Sequence, residues 1–360
     1  MHVAIIGGGN GGHAMAAEFG IAGHHVTLCT SDETKRAGLV AMGGVAVHGV
    51  LGERVVPLHG VTGDVESAIN GSEIVVLPVP GMVQERFLDR ALPLLRGQPL
   101  WLAPGTGGSL IAARRLRDQG RPESLVFETA TLPYGSRMTS NGTVGINALL
   151  NLQVSTFPAT RRHETREILE KLFQHTRDVT TAIIDLPHAL ASIASSVNPM
   201  IHPVPSLMNY GVIEGRDGYF SIYAEGMSPG VLQVMNTVDL ERQAIQSALG
   251  VQPVALDQLY EELGTGPIYR QSMNLGVADR FLERFIVEDV PIGLVTLSSI
   301  GRRFGVPTPT TDAIVNLANA VYKTDFWNTG RTLTELGLGE LDPETILRYL
   351  EFGLDSETCA

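Results

Sequence analysis

The apolar run VAII at 3–6 leads straight into Gly7, Gly9 and Gly12, and the helix-forming stretch HAMAAEFGIAG follows at once. In a strand, loop and helix so arranged, the first glycine permits a tight turn and the second lets backbone approach a pyrophosphate. The third lets helix and strand pack closely. The N–H groups of the first helical turn then face an anion. Glycines at this spacing also occur in purely structural turns, but the flanking strand and helix favour the dinucleotide-binding reading. Asn10 and Gly11 complete the loop and belong to the same expected site.

Short apolar runs recur through the first half, at 26–29, 74–79, 99–104 and 124–129, separated by helical stretches. This alternation predicts parallel βαβ units. GVAVHGVLGERVVPL at 44–58 alternates around glycines and reads as a two-stranded excursion. LQVSTF at 152–157, a charged helical run at 160–175 and DVTTAII at 178–184 continue the pattern. Beyond them, helical periods at 186–200, 229–249, 253–263 and 308–323 dominate. The expected fold is α/β, with a dinucleotide-binding domain over 1–184 and a mostly α-helical domain over 185–360.

A chain of 360 residues is long enough for two cores, and 44% hydrophobic with 18% charged residues marks a well-buried protein. The net charge of −12 argues against nucleic acid as a partner. No long apolar run suggests a membrane segment and no basic leader suggests export. Cys29 and Cys359 are too few for a disulfide framework or a metal site, so a reducing cytoplasm is the expected setting. The sequons at Asn70 and Asn141 then carry no weight. A homodimer is compatible with a helical second domain.

The second strand ends in Thr30 and Ser31, where a carboxylate often binds the adenine ribose. Two hydroxyls, with Lys35 and Arg36 a turn later, favour NADP(H) over NAD(H). The opposite reading has Asp32 turning in to serve NAD. Pro78, Val79 and Pro80, and Pro104 with Gly105, follow later strands where an open parallel sheet forms its ligand crevice. Hydride transfer to a carbonyl or imine also needs a proton donor and a cation for the substrate carboxylate. His202, in NPMIHPVPS with Asn198 a turn earlier, is the expected donor. Arg284, Glu288 and Asp289 lie amid apolar residues at 279–294, although Arg284 and Glu288 are also spaced as an ordinary helical ion pair. No HExxH, clustered His/Cys set or G-x-S-x-G elbow occurs, and no metal is expected.

These blocks together resemble the opine dehydrogenases, the octopine and nopaline dehydrogenase group. The resemblance runs through GGGNGGHA at 7–14, ETATLPYGSR at 128–137, SSVNPMIHP at 195–203, RFIVEDVPIGLV at 284–295, VPTPTTDA at 306–313 and TDFWNTGRTLTELGL at 324–338. It implies a Rossmann domain followed by a helical domain, with substrate bound between them. It further implies NAD(P)H-driven reductive condensation of a 2-oxo acid, such as pyruvate, with the amino group of an amino acid. The family's histidine falls on His202, its aspartate on Asp289 and its arginine on Arg284. Asn198 would orient substrate or nicotinamide amide, and Arg137 is a weaker candidate for a second carboxylate. A ketopantoate-reductase-like or hydroxyacid dehydrogenase is the rival reading, disfavoured because 195–210 contains no lysine. A non-catalytic NAD(P) sensor is the rival from another class.

Overall fold

The computed structural model describes residues 1–122, 124–216, 220–264 and 284–353. The chain forms two compact units, one of Met1–Ser192 with Leu350–Gly353 and one of Ile193–Tyr349. Among the described residues, no helix is long and apolar enough to cross a membrane.

The first unit opens with β1 (His2–Ile6), α1 (Asn10–Ile21), β2 (His25–Cys29) and α2 (Glu33–Met42). Next come β3 (Gly44–Gly49), β4 (Arg54–Pro57), β5 (Gly60–Thr62), α3 (Val65–Ile69), β6 (Ile74–Leu77), α4 (Gln84–Ala91) and β7 (Leu100–Leu102). Then follow α5 (Gly108–Asp118), β8 (Val126–Thr129), β9 (Tyr134–Ser140), β10 (Thr143–Leu149), β11 (Leu152–Phe157), α6 (Arg162–Phe173), α7 (Val179–Ala182) and β12 (Ile183–Asp185). Eight strands form one sheet in the order β12-β11-β8-β7-β6-β1-β2-β5. Every residue of β6, β7 and β8 is buried, as strands covered on both faces require. The strand order reverses at β1, whose neighbours are β2 and β6, so the glycine loop after β1 opens at the topological switch point.

β3 and β4 pair antiparallel as the alternation at 44–58 predicts, but they belong to a larger sheet, β4-β3-β10-β9. The β9–β10 hairpin is not anticipated by the sequence reading. Its signal is the pair Asn141 and Gly142, a hairpin dipeptide whose glycine takes φ 89°. β11 also departs from expectation, running antiparallel to β8. A hairpin rather than a crossover helix separates the two strands, and a parallel pairing needs a crossover.

Trp101 stacks on Phe127 at 5.7 Å and meets Phe19 and Phe173 in the core. Buried Glu18 of α1 receives Nε and Nη2 of Arg177 at 2.8 and 2.7 Å. Arg177 also donates to the Leu150 and Pro133 carbonyls, tying α1 to the ends of the hairpin.

The chain crosses into the second unit within α8 (Ala189–Ala194). The periodicity at 186–200 predicts one continuous helix, yet α8 stops and α9 (Asn198–Ile201) and α10 (Pro203–Met208) follow as short pieces. Pro199, Pro203 and Pro205 lack an N–H donor and are tolerated only in a first turn, so they restart the helix instead of extending it. α11 (Tyr210–Glu214), α12 (Pro229–Ala248) and α13 (Leu256–Glu262) come next. A π-helical turn, Val290–Leu294, leads into α14 (Val295–Arg303), α15 (Pro309–Tyr322), α16 (Phe326–Thr329) and α17 (Pro343–Phe352). Among the described residues this unit contains no strand longer than an isolated bridge.

A Cβ on Gly12 would overlap the Gly7 carbonyl oxygen, whereas one on Gly9 meets nothing within 4 Å. Gly12→Ala is therefore expected to destabilise the first unit by about 1–3 kcal/mol. Thermal unfolding beside Gly9→Ala checks this, because the second variant should unfold closer to the wild type.

Candidate active site

The N-terminal unit builds a cradle from close backbone approaches. Gly7 takes φ 140°, and a Cβ there would lie 2.7 Å from Cγ1 of buried Val79. A Cβ on Gly8 would lie 2.5 Å from that of Thr30, and one on Gly11 would lie 2.6 Å from Leu132. Gly9 caps α1 without a side-chain bond, and a Cβ there would meet nothing within 4 Å, so the start of the helix is open where an anion could approach. Asn10 turns the other way, its Oδ1 accepting from the Met138 N–H at 3.0 Å, which fastens the loop to β9.

At the end of β2, Thr30 is buried and Ser31 exposed. Arg36 reaches back from α2 and donates to the Thr30 carbonyl at 2.7 Å. Asp32 is engaged elsewhere: its Oδ1 accepts from the Thr34 and Lys35 N–H groups as the cap of α2, and its other oxygen pairs with Lys35 at 3.6 Å. Those bonds, led by the Thr34 hydroxyl, hold its carboxyl below the usual range.

Pro78, Val79 and Pro80 follow β6, and Pro104 and Gly105 follow β7. Gln84 donates to the Pro104 carbonyl at 2.7 Å. Beneath this loop lies Glu128, wholly buried, accepting from the Gly107 and Ser109 N–H groups at 3.1 and 3.0 Å. Burial pushes its carboxyl up in spite of these donors. A folded-state value above the unfolded one means that this group's stabilising contribution is complete in acid. It is lost as pH climbs through the raised value.

In the helical unit, His202 sits where α9 passes into α10, with its side chain only about a tenth exposed. Its Nδ1 lies 2.7 Å from Oδ2 of Asp289. Asp289 immediately precedes the π-helical turn, where Pro291 removes a donor and the ladder widens. A Cβ on Gly293 would lie 2.3 Å from Cγ of Pro199, so glycine there lets this turn press against α9 and brings the aspartate to the histidine. Phe285 stacks on the imidazole at 3.8 Å with 11° between planes, and Tyr223 Oη lies 3.1 Å from Nε2.

The structure thus brings His202 and Asp289 together although 87 positions separate them. Asn198 contributes its carbonyl to the His202 N–H at 3.0 Å. Arg284 donates from Nε to Glu288 at 2.6 Å and stays half exposed, the ion pair that its spacing allowed. Arg137 lies exposed on β9 of the other unit. Sequence reasoning assigned no role to Glu128, Gln84, Tyr223 or Phe285. Glu128 and Phe285 stand inside two of the quoted blocks, whereas Tyr223 and Gln84 carry no local signal.

A carboxylate only accepts, so Nδ1 of the neutral ring carries the hydrogen and Nε2 the lone pair. Asp289→Ala is expected to release that tautomer. Nitrogen-15 NMR of the His202 ring should show Nε2–H gaining population, and an unchanged tautomer would mean that Asp289 does not set it.

The model of the NAD/NADP octopine/nopaline dehydrogenase alpha-helical domain matches residues 185–322. That of the coenzyme F420-dependent NADP oxidoreductases matches residues 2–100. An opine dehydrogenase of Arthrobacter sp. (strain 1C) is 29% identical over 97% of this chain and 98% of its own. A vitopine synthase of Allorhizobium ampelinum is 24% identical over 80% of each chain. An octopine dehydrogenase solved with NADH and agmatine superposes with a TM-score of 0.74 at 18% identity, covering 96% of this chain and 98% of that one. A ketopantoate reductase from Ralstonia eutropha still reaches 0.61 at 15% identity, over 90% and 99%, so the two-unit plan alone does not separate these enzymes. The helical-domain match and the likeness to the Arthrobacter enzyme do separate them: this chain is similar to the opine dehydrogenases over nearly its whole length.

Proposed function

We propose that this protein condenses a 2-oxo acid with the amino group of an amino acid and reduces the resulting imine, as an NAD(P)H-dependent oxidoreductase acting on CH–NH groups. The observation that carries the reading is the His202–Asp289 pair, held at 2.7 Å within the domain that matches the family. Octopine dehydrogenase structures solved with pyruvate, L-arginine or agmatine support an oxo acid and an amine as the substrate classes.

The glycine loop fits a dinucleotide, because side chains at Gly7, Gly8 or Gly12 would overlap Val79, Thr30 or the Gly7 carbonyl and force the loop open, while Gly9 at the start of α1 faces open space. In this reading Gly7, Gly9, Gly11, Gly12 and the start of α1 hold the pyrophosphate, with Asn10 bracing the loop. Pro78, Val79, Pro80, Pro104 and Gly105 line the nicotinamide end. When bound, the cofactor supplies the hydride. His202 gives a proton to the hydroxyl that leaves as the imine forms, and Asp289 keeps Nε2 directed to that task. Arg284 offers its terminal nitrogens to the oxo-acid carboxylate, with Glu288 fixing Nε. Asn198 orients the substrate, and Arg137 is assigned a second carboxylate.

NADP(H) is the proposed preference. Arg36 stands beside Thr30 and exposed Ser31, and the Asp32 carboxylate is committed to capping α2. A reducing, cytoplasmic setting belongs to the same reading and rests on a chain with two cysteines. One of them, Cys29, is a buried thiol that burial pushes up to about 11.

Cofactor oxidation with pyruvate, 2-oxoglutarate or glyoxylate, with and without amino acids, tests the assignment. Turnover should require both substrates, and amine-independent oxidation would return the chain to the hydroxyacid reductases. His202→Ala should lower turnover at least about a hundredfold while cofactor still binds. For cofactor choice, Arg36→Ala should raise KM for NADPH by about tenfold and leave NADH nearly unaffected. Equal losses for both cofactors would confine Arg36 to bracing the end of β2.

A further inference from the structure

We infer that Tyr223 is a proton-relay residue, passing the proton of His202 to the oxygen that leaves the substrate. The inference rests on the proposed role of His202 as proton donor. Nδ1 of the ring is occupied by Asp289 and one face is covered by Phe285, which leaves Nε2 as the atom through which a proton can pass. That atom already has a partner, the Tyr223 hydroxyl at 3.1 Å. The neutral ring accepts from the phenol, and the protonated ring donates to its oxygen. His202 is buried while Tyr223 is partly exposed, so the phenol is the member of the pair nearer to solvent.

The tyrosine is held in place. Phe220 and Ile222 beside it are buried with Ile213 in a small apolar cluster, and Tyr223 and Phe285 both pack against this cluster. The backbone there is stapled by Glu225, which accepts from the Ser221 N–H at 3.2 Å, and by the Ser221 hydroxyl, which accepts from the Ala224 N–H at 3.1 Å. A hydroxyl so held against Nε2 needs no reorganisation for transfer.

In the relay, the carbinolamine C–O bond breaks as the amine lone pair forms the C=N bond. The departing hydroxyl takes the Tyr223 proton and leaves as water. The imidazolium Nε2–H bond breaks in turn, and its proton restores the phenol. One proton has moved from His202 to water, the positive charge has moved to the iminium, and Tyr223 is unchanged.

Tyr223→Phe keeps the ring and removes the oxygen. With NADPH, pyruvate and an accepted amino acid, kcat is expected to fall at least about tenfold, short of the full 10²–10⁴ of general acid catalysis. KM for pyruvate should move less than about threefold. The solvent deuterium isotope effect on kcat should rise, and the primary effect from 4-deuterated cofactor should shrink, as proton transfer becomes limiting. An unchanged kcat would overturn the relay, and so would a fall in kcat with both isotope effects at wild-type values, which marks a packing role. Phe285→Leu serves as the packing control, expected to leave the two isotope effects unaltered. Wild-type turnover in His202→Ala would defeat the donor assignment itself, a result distinct from either outcome at Tyr223.

Discussion

The hydrogen bond from His202 Nδ1 to Asp289 joins two segments of the helical unit 87 positions apart, and the proposed chemistry depends on it. Because the carboxylate can only accept, one bond fixes the tautomer, the ring orientation and the direction of the remaining nitrogen. Its length depends on two helical segments meeting closely, which the missing Cβ of Gly293 against Pro199 permits. The π-helical turn at Pro291 widens the backbone next to the aspartate. Both partners are largely buried, so removing either leaves a polar group without water or a mate, and that loss exceeds the net worth of the bond.

In the proposed reading the N-terminal unit solves a different problem, bringing main chain near an anion without side chains in the way. Gly7, Gly8, Gly11 and Gly12 each sit where a Cβ would overlap a neighbour. Rigidity comes from polar anchors set behind the loops. Asn10 ties the first loop to β9, Gln84 holds Pro104, and Glu128 gathers the start of α5. The buried Glu128 carboxyl is the costly member of this group, since its donors only partly offset its desolvation. The Glu18–Arg177 pair works at a larger scale, joining α1 to the Pro133 and Leu150 carbonyls at the open end of the β9–β10 hairpin.

What could be read from the sequence followed the range of the physics involved. The glycine loop, the buried parallel strands and the long helices are local patterns of period 2 or 3.6, and they are present at or close to the expected positions. The β9–β10 hairpin was announced only by Asn141 and Gly142, in a stretch whose strands are half exposed and alternate weakly. The short helices around His202 were obscured because apolar periodicity continues across the prolines that interrupt it. Tyr223 was invisible for another reason. It is an ordinary tyrosine until the fold sets its hydroxyl against a ring 21 residues away, and pairing at that distance leaves no local trace. Arg284 shows the same limit from the other side: its i,i+4 spacing with Glu288 was legible, and the pair forms, but spacing alone carries no information about a substrate carboxylate.

The fold itself does not select the chemistry, since reductases that act on carbonyl substrates share this two-unit plan. In the proposed reading the selection lies in the functional group offered at the helix junction. A lysine presents one nitrogen, so any partner that orients it competes with the substrate for the same atom. An imidazole presents two, on opposite edges of a rigid ring. One edge is held by Asp289 while the other faces the Tyr223 hydroxyl and is free for the proposed proton transfer. Imine formation and its reversal need a group that donates and recovers a proton in one place, and a ring gripped at one edge can do both without moving.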